Sequence, residues 1–251
     1  MQKIAIFIPT YNAAKTLPIL LDRIPEQIKK EVQEIFVVDD ASQDNTHLIG
    51  IGYKTTTGLS NLKVYKNEKN KGYGGNQKYA YQYSIDNNFD LVVMLHGDAQ
   101  YAPEKIPALL EPFKDDSETA LVFGSRMKGD PLKGGMPLHK FLGNKLLTFI
   151  ENKALNMNLS EYHSGFRVYN LHKLKTIPFH LCSDGYLFDT DILIQFKIKN
   201  LKIREVPIPT YYGGEKSHVK IFEYGFNILK SLMEYYFNKK GFKKVGKFDF
   251  K

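Results

Sequence analysis

Five short segments carry residue types able to hold or transfer charge, and most of them stand at the ends of apolar runs. His96-Gly97-Asp98-Ala99-Gln100 closes the run at 91–95. A carboxylate at Asp98, with the amide oxygen of Gln100 two residues on, suits a hard divalent cation that also holds two phosphate oxygens. The alternative is that Asp98 closes a turn; it stands too far from Pro103 to cap the helix beginning there. Asp39 and Asp40 end a second run, and neighbouring side chains on extended backbone point to opposite sides, which excludes a paired-carboxylate acid/base site. Each instead offers acceptor oxygens to a base N–H or a ribose hydroxyl, or caps a helix with Ser42, Asp44 and Thr46. Asp39 is expected to be functional and Asp44 a cap. Gly72-Tyr73-Gly74-Gly75-Asn76 permits close backbone approach to a phosphate or ribose, and reads equally as a loop that needs positive φ. It lacks the third glycine of the dinucleotide fingerprint.

These clusters need elements to hold them. Residues 3–8 read as a buried strand, residues 16–24 as an apolar-periodic helix and residues 34–38 as a second strand. Residues 62–65, 91–95 and 120–123 are further short runs rich in Val, Leu and Phe, separated by helical spacing at 77–85 and 104–113. Such alternation predicts a parallel sheet covered by helices, whose ligands sit beyond the carboxyl ends of the strands. Pro9-Thr10-Tyr11-Asn12, Asp39-Asp40-Ala41-Ser42, residues 67–70 and the His96 cluster stand at four such ends, so they are expected on one rim. The second half predicts helices at 138–155 and 188–200 and a last strand at 203–206, ended by Pro207 and Pro209. A final amphipathic helix at 221–237 carries Phe222, Phe226, Leu229, Leu232, Met233 and Tyr236 on one face.

Composition narrows the classes. A hydrophobic share of 43% and a charged share of 25% exclude a disordered or fibrous chain. The single cysteine, Cys182, excludes a disulfide framework or thiolate cluster within one chain and fits a reducing cytoplasm. The apolar start at 4–8 is too short for a signal-peptide core, and no run reaches the roughly 18–20 apolar residues of a membrane span. Residues 239–251 hold six lysines and one acid, Asp249, against a formal charge of +8 for the whole chain. A nucleic-acid binder carries its basic residues along a folded face. Concentrated at one end they point to a membrane surface, and no nucleic acid is expected as a partner.

Ile8-Pro9-Thr10-Tyr11-Asn12, Val37-Val38-Asp39-Asp40-Ala41-Ser42, the His96 to Gln100 cluster, Gly124-Ser125-Arg126 and Ser164-Gly165-Phe166-Arg167 follow one another in a familiar order. It is the order of family 2 glycosyltransferases, and the chain resembles the polyprenyl-phosphate sugar transferases among them over residues 4–215. The resemblance implies an α/β fold of GT-A type, with a mostly parallel nucleotide-binding sheet and helices on both faces. That domain is expected over residues 1–215, and a C-terminal amphipathic helix with a basic tail over 216–251. The resemblance also implies transfer of a sugar from a nucleotide-diphosphate sugar (UDP or GDP), inversion at the anomeric carbon, and a divalent cation, Mg or Mn. Pro9, Tyr11 and Asp39 match positions that hold the nucleotide, and Asn12, Asp40, Gly75, His96 and Asp98 complete the expected donor site. Asp98 and Gln100 match metal-site positions. The chain departs from the family pattern twice. His96 stands where the first Asp of an Asp-x-Asp motif is common; an imidazole can ligate Mn or bond a ribose or phosphate, so metal identity stays open. Ala13 follows Asn12 where relatives often carry Glu.

The acceptor stays open between a lipid phosphate and a cell-surface glycan. A sugar hydroxyl wants a general base, and by family position the candidates are Asp189 and Asp191; two apart on a helix, at most one faces the pocket. A lipid phosphate, with a second pKa near about 6, is largely ionised and wants cations instead. Arg126, Arg167, His139, Lys140 and Lys216 are the candidates, each alternatively a solvated surface charge. Arg126 is also expected to stabilise the leaving diphosphate. The amphipathic helix, with Phe242, Phe248 and Phe250 among the tail lysines, places the protein in the cytoplasm, peripheral on the inner face of an anionic membrane. The alternative is a core-packing helix and a disordered basic end. Two rival classes remain. A sugar nucleotidyltransferase is expected to carry a basic Gly-rich loop after its first strand, where this chain has Pro9-Thr10-Tyr11-Asn12. A non-catalytic sugar-nucleotide or membrane-binding module is supported only by His96.

Overall fold

The computed structural model describes residues 2–211 and 221–250, the side chains of Ile221 and Phe222 excepted. Lys216 and the boundary expected at 215 lie outside the described residues. The first half runs β1 (Ile4–Thr10), α1 (Leu17–Arg23), α2 (Glu26–Glu31), β2 (Glu34–Asp39), α3 (Thr46–Thr57), β3 (Leu62–Lys66), α4 (Gly72–Asp86) and β4 (Leu91–Met94). The second runs α5 (Ile106–Asp115), β5 (Thr119–Ser125), α6 (Leu138–Leu155), β6 (Arg167–Asn170), α7 (Leu171–Leu174), α8 (Phe188–Ile198), β7 (Lys202–Pro207) and α9 (Ile221–Lys239). One seven-stranded sheet has the order β3-β2-β1-β4-β6-β5-β7. β3, β2, β1 and β4 are mutually parallel, β6 runs against both of its neighbours, and β7 is parallel to β5.

Strands covered on both faces need no alternation of polarity. On β1, Ala5 and Phe7 enter one core with Phe36, Val38 and Val92, while Ile6 and Ile8 enter the other with Ile35, Val37 and Val93. The period of two therefore shows as alternate cores and not as alternate polarity. Each of these fully buried side chains larger than alanine contributes on the order of 1.5–3 kcal/mol. α1, α2 and α5 supply the second core through Leu17, Leu20, Ile28 and Leu109, and α4, α8 and α9 supply the first through Tyr81, Phe188, Ile192 and Leu232.

β6 was not expected as a strand, because its four residues read as the end of a motif. It brings Arg167 into register with Met94 and Phe123, deep in the sheet. α9 packs on α6 and α8. Its buried residues Ile228, Ser231, Leu232 and Tyr235 make one stripe, while Phe226, Leu229, Met233, Tyr236 and Phe237 make an exposed one. The face expected to be amphipathic is thus mostly the outward one, with Leu232 turned inward. The basic end is ordered: Phe248 is buried, Asn238 Nδ2 donates to its carbonyl (2.8 Å), and Lys247 is drawn into the interior. Among the described residues no helix is long and apolar enough to cross a membrane.

Candidate active site

The polar ends of β1 to β4 share one rim, and left-handed backbone makes them turn there. Asn12, Ala41 and Ala99 have φ of 52°, 59° and 60°, one after each of β1, β2 and β4. Positive φ at alanine is strained, and such residues cluster where a site demands a particular backbone. The turns are stapled together: Asn12 N donates to Ser42 Oγ (2.8 Å), Gln43 N to Asn12 Oδ1 (3.0 Å) and Ala13 N to Thr46 Oγ1 (2.8 Å). Pro9 accepts from Gly97 N at its carbonyl (3.1 Å), and Tyr11 stands exposed beside it. Asp44 Oδ1 accepts from Thr46 N (3.0 Å), where α3 begins.

Asp39 is fully buried, and its Oδ1 accepts from the backbone N–H (3.0 Å) and the hydroxyl of Ser42. Its Oδ2 has no hydrogen-bond partner among the described residues; the ammonium of Lys66 stands 3.9 Å away. A buried acceptor left open is rare enough to point to a ligand. Asp98 is half-exposed, and its Oδ1 accepts from Gln100 N (3.0 Å), so the turn and the metal readings describe one conformation.

Asp40 and Gly75 differ from expectation. The Asp40 carboxylate accepts from Lys71 N (2.8 Å), Gly72 N (3.0 Å) and Asn67 Nδ2 (2.7 Å), and so fastens the start of α4. Gly74 and Gly75 both donate to the Asp184 carbonyl (2.7 and 3.1 Å), which removes Gly75 N–H from phosphate duty. Glycine is required there because a Cβ on Gly74 would collide with the Ser183 carbonyl.

His96 is half-buried, and its ring lies against Gly165, where any Cβ would strike the imidazole. Tyr101 meets it edge-on at 5.3 Å between centroids, and Tyr101 Oη accepts from Gly165 N (2.8 Å). The Tyr73 hydroxyl lies 3.3 Å from His96 Nε2 and donates to Asp189 Oδ2 (2.9 Å). Burial lowers the His96 pKa against the opposing charges of Asp98 and Asp189, and burial, with Asp189 beside it, raises that of Tyr73 well above the ordinary range. Tyr73 is accordingly a protonated donor.

Asp189 and Asp191 are turned apart. Asp189 meets Tyr73 and, 3.2 Å from Oδ1, the Arg167 guanidinium. Asp191 accepts from Ser183 N (3.0 Å), Ser231 Oγ (2.5 Å) and Lys247 Nζ (2.9 Å). Arg167 also departs from its expected role. It is 1% exposed and donates to the carbonyls of Ser164 (2.7 Å) and Tyr162 (2.8 Å) and to Tyr169 Oη (3.2 Å), so it braces Asp189 and cannot clamp an acceptor. Arg126 does reach the rim after β5. Its guanidinium is shared with buried Glu161 (Nη2–Oε2 2.6 Å) and the His163 carbonyl (3.1 Å). Burial raises the Glu161 pKa, but the Arg126 charge and the hydrogen bonds that Arg126 donates together outweigh it and hold the carboxyl below its ordinary range. His139 and Lys140 lie in the first turn of α6. Tyr73, Tyr101, Glu161 and Lys247 were missed as site or bracing residues; only Tyr73, an aromatic set among glycines, left a trace in the sequence.

This rim of a mostly parallel sheet, with its acidic turns, is that of a GT-A glycosyltransferase. The chain belongs to Glycosyl transferase family 2, whose profile matches residues 5–177. It is 31% identical over 219 residues to UDP-N-acetylglucosamine–dolichyl-phosphate N-acetylglucosaminyltransferase of Methanococcus voltae, covering 83% of this chain and 86% of that one. It is 27% identical over 213 residues to undecaprenyl-phosphate mannosyltransferase of Micrococcus luteus, covering 82% and 83%. In fold it is similar to glucosyl-3-phosphoglycerate synthase from Mycobacterium tuberculosis, crystallised with Mn2+, UDP and glucosyl-3-phosphoglycerate. The TM-score there is 0.68 at 17% identity, over 98% of this chain and 82% of the other.

Proposed function

We propose that this glycosyltransferase moves a sugar from a UDP-sugar to a polyprenyl phosphate at an anionic membrane surface, with a divalent cation held by Asp98 and Gln100. The observation that carries the donor half is Asp39 Oδ2, buried and open at the rim. An unpaired buried acceptor costs about 1–3 kcal/mol, and the imide N–H of a uracil would remove that cost. UDP is favoured over GDP by the methanococcal relative, whose name specifies a UDP sugar, and by the UDP in the mycobacterial crystal.

Asp98 and Gln100 offer hard oxygen donors on one turn. Among the described residues no cluster of three His, Cys, Asp or Glu could hold a metal alone. Such a donor set suits Mg or Mn, either of which keeps water and substrate phosphate oxygens in its shell. When bound, the cation neutralises charge on the leaving diphosphate. Arg126, close enough for its charge to act on His96, adds positive potential at the same place. The reaction is a single displacement. An acceptor oxygen bonds to the anomeric carbon as the bond from that carbon to the diphosphate oxygen breaks, and the configuration inverts. Asp189 accepts the proton of an acceptor that arrives protonated and otherwise orients a sugar hydroxyl.

Both named relatives act on polyprenyl phosphates, which supports the acceptor half. So do the outward faces of α6, with Leu138, Leu142, Leu146 and Phe149 exposed, and of α9, with Phe226 and Met233. Exposed lysines 145, 153, 230, 239 and 240 flank them. Apolar stripes edged with lysine complement an anionic leaflet, each lysine contributing roughly 1 kcal/mol, whereas a second copy of a chain of charge +8 is repelled. His139 and Lys140 then stand to meet the phosphate head.

The test is transfer by the purified protein from UDP and GDP sugars, with Mn or Mg, with and without a short polyprenyl phosphate, on vesicles containing anionic lipid. Metal-dependent transfer to the lipid is expected, with Asp98→Ala slower by about 10²–10³. Transfer that survives chelation, or that proceeds only to a glycan, would overturn the reading.

A further inference from the structure

Three elements meet at the Tyr73 hydroxyl. α4 supplies the tyrosine from its first turn, the loop after β4 supplies His96, and α8 supplies Asp189. Glycines close this junction: Gly72 has φ of 78°, and a Cβ there would lie 2.7 Å from the Asp184 carbonyl oxygen. A Cβ on Gly165 would lie 3.2 Å from Tyr73 Oη as well as striking the imidazole. Tyr186 flanks the Tyr73 ring at 5.1 Å. The hydroxyl owns one hydrogen, and the Asp189 carboxylate, an acceptor only, takes it. The hydroxyl oxygen can then only accept from His96 Nε2, which must carry the hydrogen of that contact. An aspartate at position 96 would place a second acceptor on a hydroxyl that has nothing left to give. A ring N–H satisfies it, which is a physical reason for histidine at this position.

We propose that Tyr73 is a positioning residue whose hydroxyl couples His96 to Asp189, so that Nε2–H of the imidazole serves this carboxylate and Nε2 is not a ligand of the metal. The inference rests on the proposed reading of Asp189 as the carboxylate that meets the substrates. It predicts that the two partners of Tyr73 act as one unit in sugar transfer.

Transfer kinetics are measured for Tyr73→Phe, His96→Phe and the double variant. Mn2+ binding to each UDP-saturated protein is followed by loss of the free-ion electron paramagnetic resonance signal. Each single variant is expected to lower kcat about tenfold at saturating Mn2+, and the double variant no further than the worse single, with donor KM unchanged within about twofold. His96→Gln, which keeps an N–H donor, recovers part of the loss. Weaker Mn2+ binding in His96→Phe with kcat unchanged at saturating Mn2+ makes the imidazole a metal ligand only and overturns the inference. So do multiplicative losses in the double variant, or loss of UDP binding in Tyr73→Phe, which would mean a packing role. A wild-type protein that transfers no sugar sinks the proposed function instead, and the Mn2+ titrations still judge His96.

Discussion

The two halves of the rim handle charge in opposite ways. At the ends of β1 to β4, backbone strain and short staples set the side chains in place and leave Asp39 with a buried oxygen open. Around β5, β6 and α8, charged groups are held in closer ion pairs: Arg126 with Glu161 (2.6 Å), Lys247 with Asp191 (2.9 Å), and Arg167 with Asp189 (3.2 Å), whose Oδ1 has that cation beside it but no hydrogen bond among the described residues. The first half is a site awaiting a ligand, and the second is a brace. A charged residue inside a family motif therefore says little about which it is until its partners are known, because a buried guanidinium must be paired before it can be spared for substrate.

Arg167 is the sharpest test of that contrast. Arg167→Met leaves the Asp189 carboxylate without its cation and two carbonyls without donors, so a loss of about 3–5 kcal/mol in urea unfolding is expected. A variant that folds with wild-type stability but no longer uses the acceptor would return Arg167 to the clamp role and break the comparison.

The sequence made the open half legible and the braced half not. Apolar runs marked β1 to β4, and the residues after each run marked the rim, because a parallel sheet puts its ligand there whatever its length. Asp39 and Asp98 could be singled out on that ground. The left-handed alanines, Ala41 and Ala99, carry no sequence signal at all. The partners in the braced half are remote in sequence: Arg126 and Glu161 are 35 residues apart, and Asp191 and Lys247 are 56 apart. No local pattern encodes such a pairing, so Arg167 read as available and the tail lysines as one basic end facing a membrane surface. β6 was hidden for a related reason, since a four-residue strand buried on both faces has neither length nor alternation to announce it.

In the open half the expected effects are smaller and fall on binding. Asp39→Asn keeps an acceptor oxygen for Ser42 but can lose the charge at the open position. A hydrogen bond to a charged group contributes about 1.5–3 kcal/mol, so donor KM is expected to rise by about 10–100-fold, with the urea midpoint nearly unmoved. A variant that unfolds easily while binding donor normally would place Asp39 with the braces.

The smallest effect belongs to Lys66, the cation nearest the open oxygen. Its ammonium is 3.9 Å from Asp39 Oδ2 and its side chain is 42% exposed, so solvent competes for it, and the hydrogen bond it does make, to the Ser42 carbonyl, is a long one (3.4 Å). A pair of this kind contributes less than about 1 kcal/mol, in contrast to the buried pairs across the rim. Lys66→Met should therefore shift the urea midpoint barely at all and change donor KM by less than about fivefold, more at low salt than at high. The decisive measurement is the ratio between this variant and Asp39→Asn. If Lys66→Met raises donor KM as far as Asp39→Asn does, the oxygen was never open: Asp39 would be holding Lys66 for the diphosphate, and the base contact would have to be sought elsewhere on the rim. If the two differ by tenfold or more, as about 1.4 kcal/mol between them would require, the carboxylate meets the donor itself and the lysine is incidental.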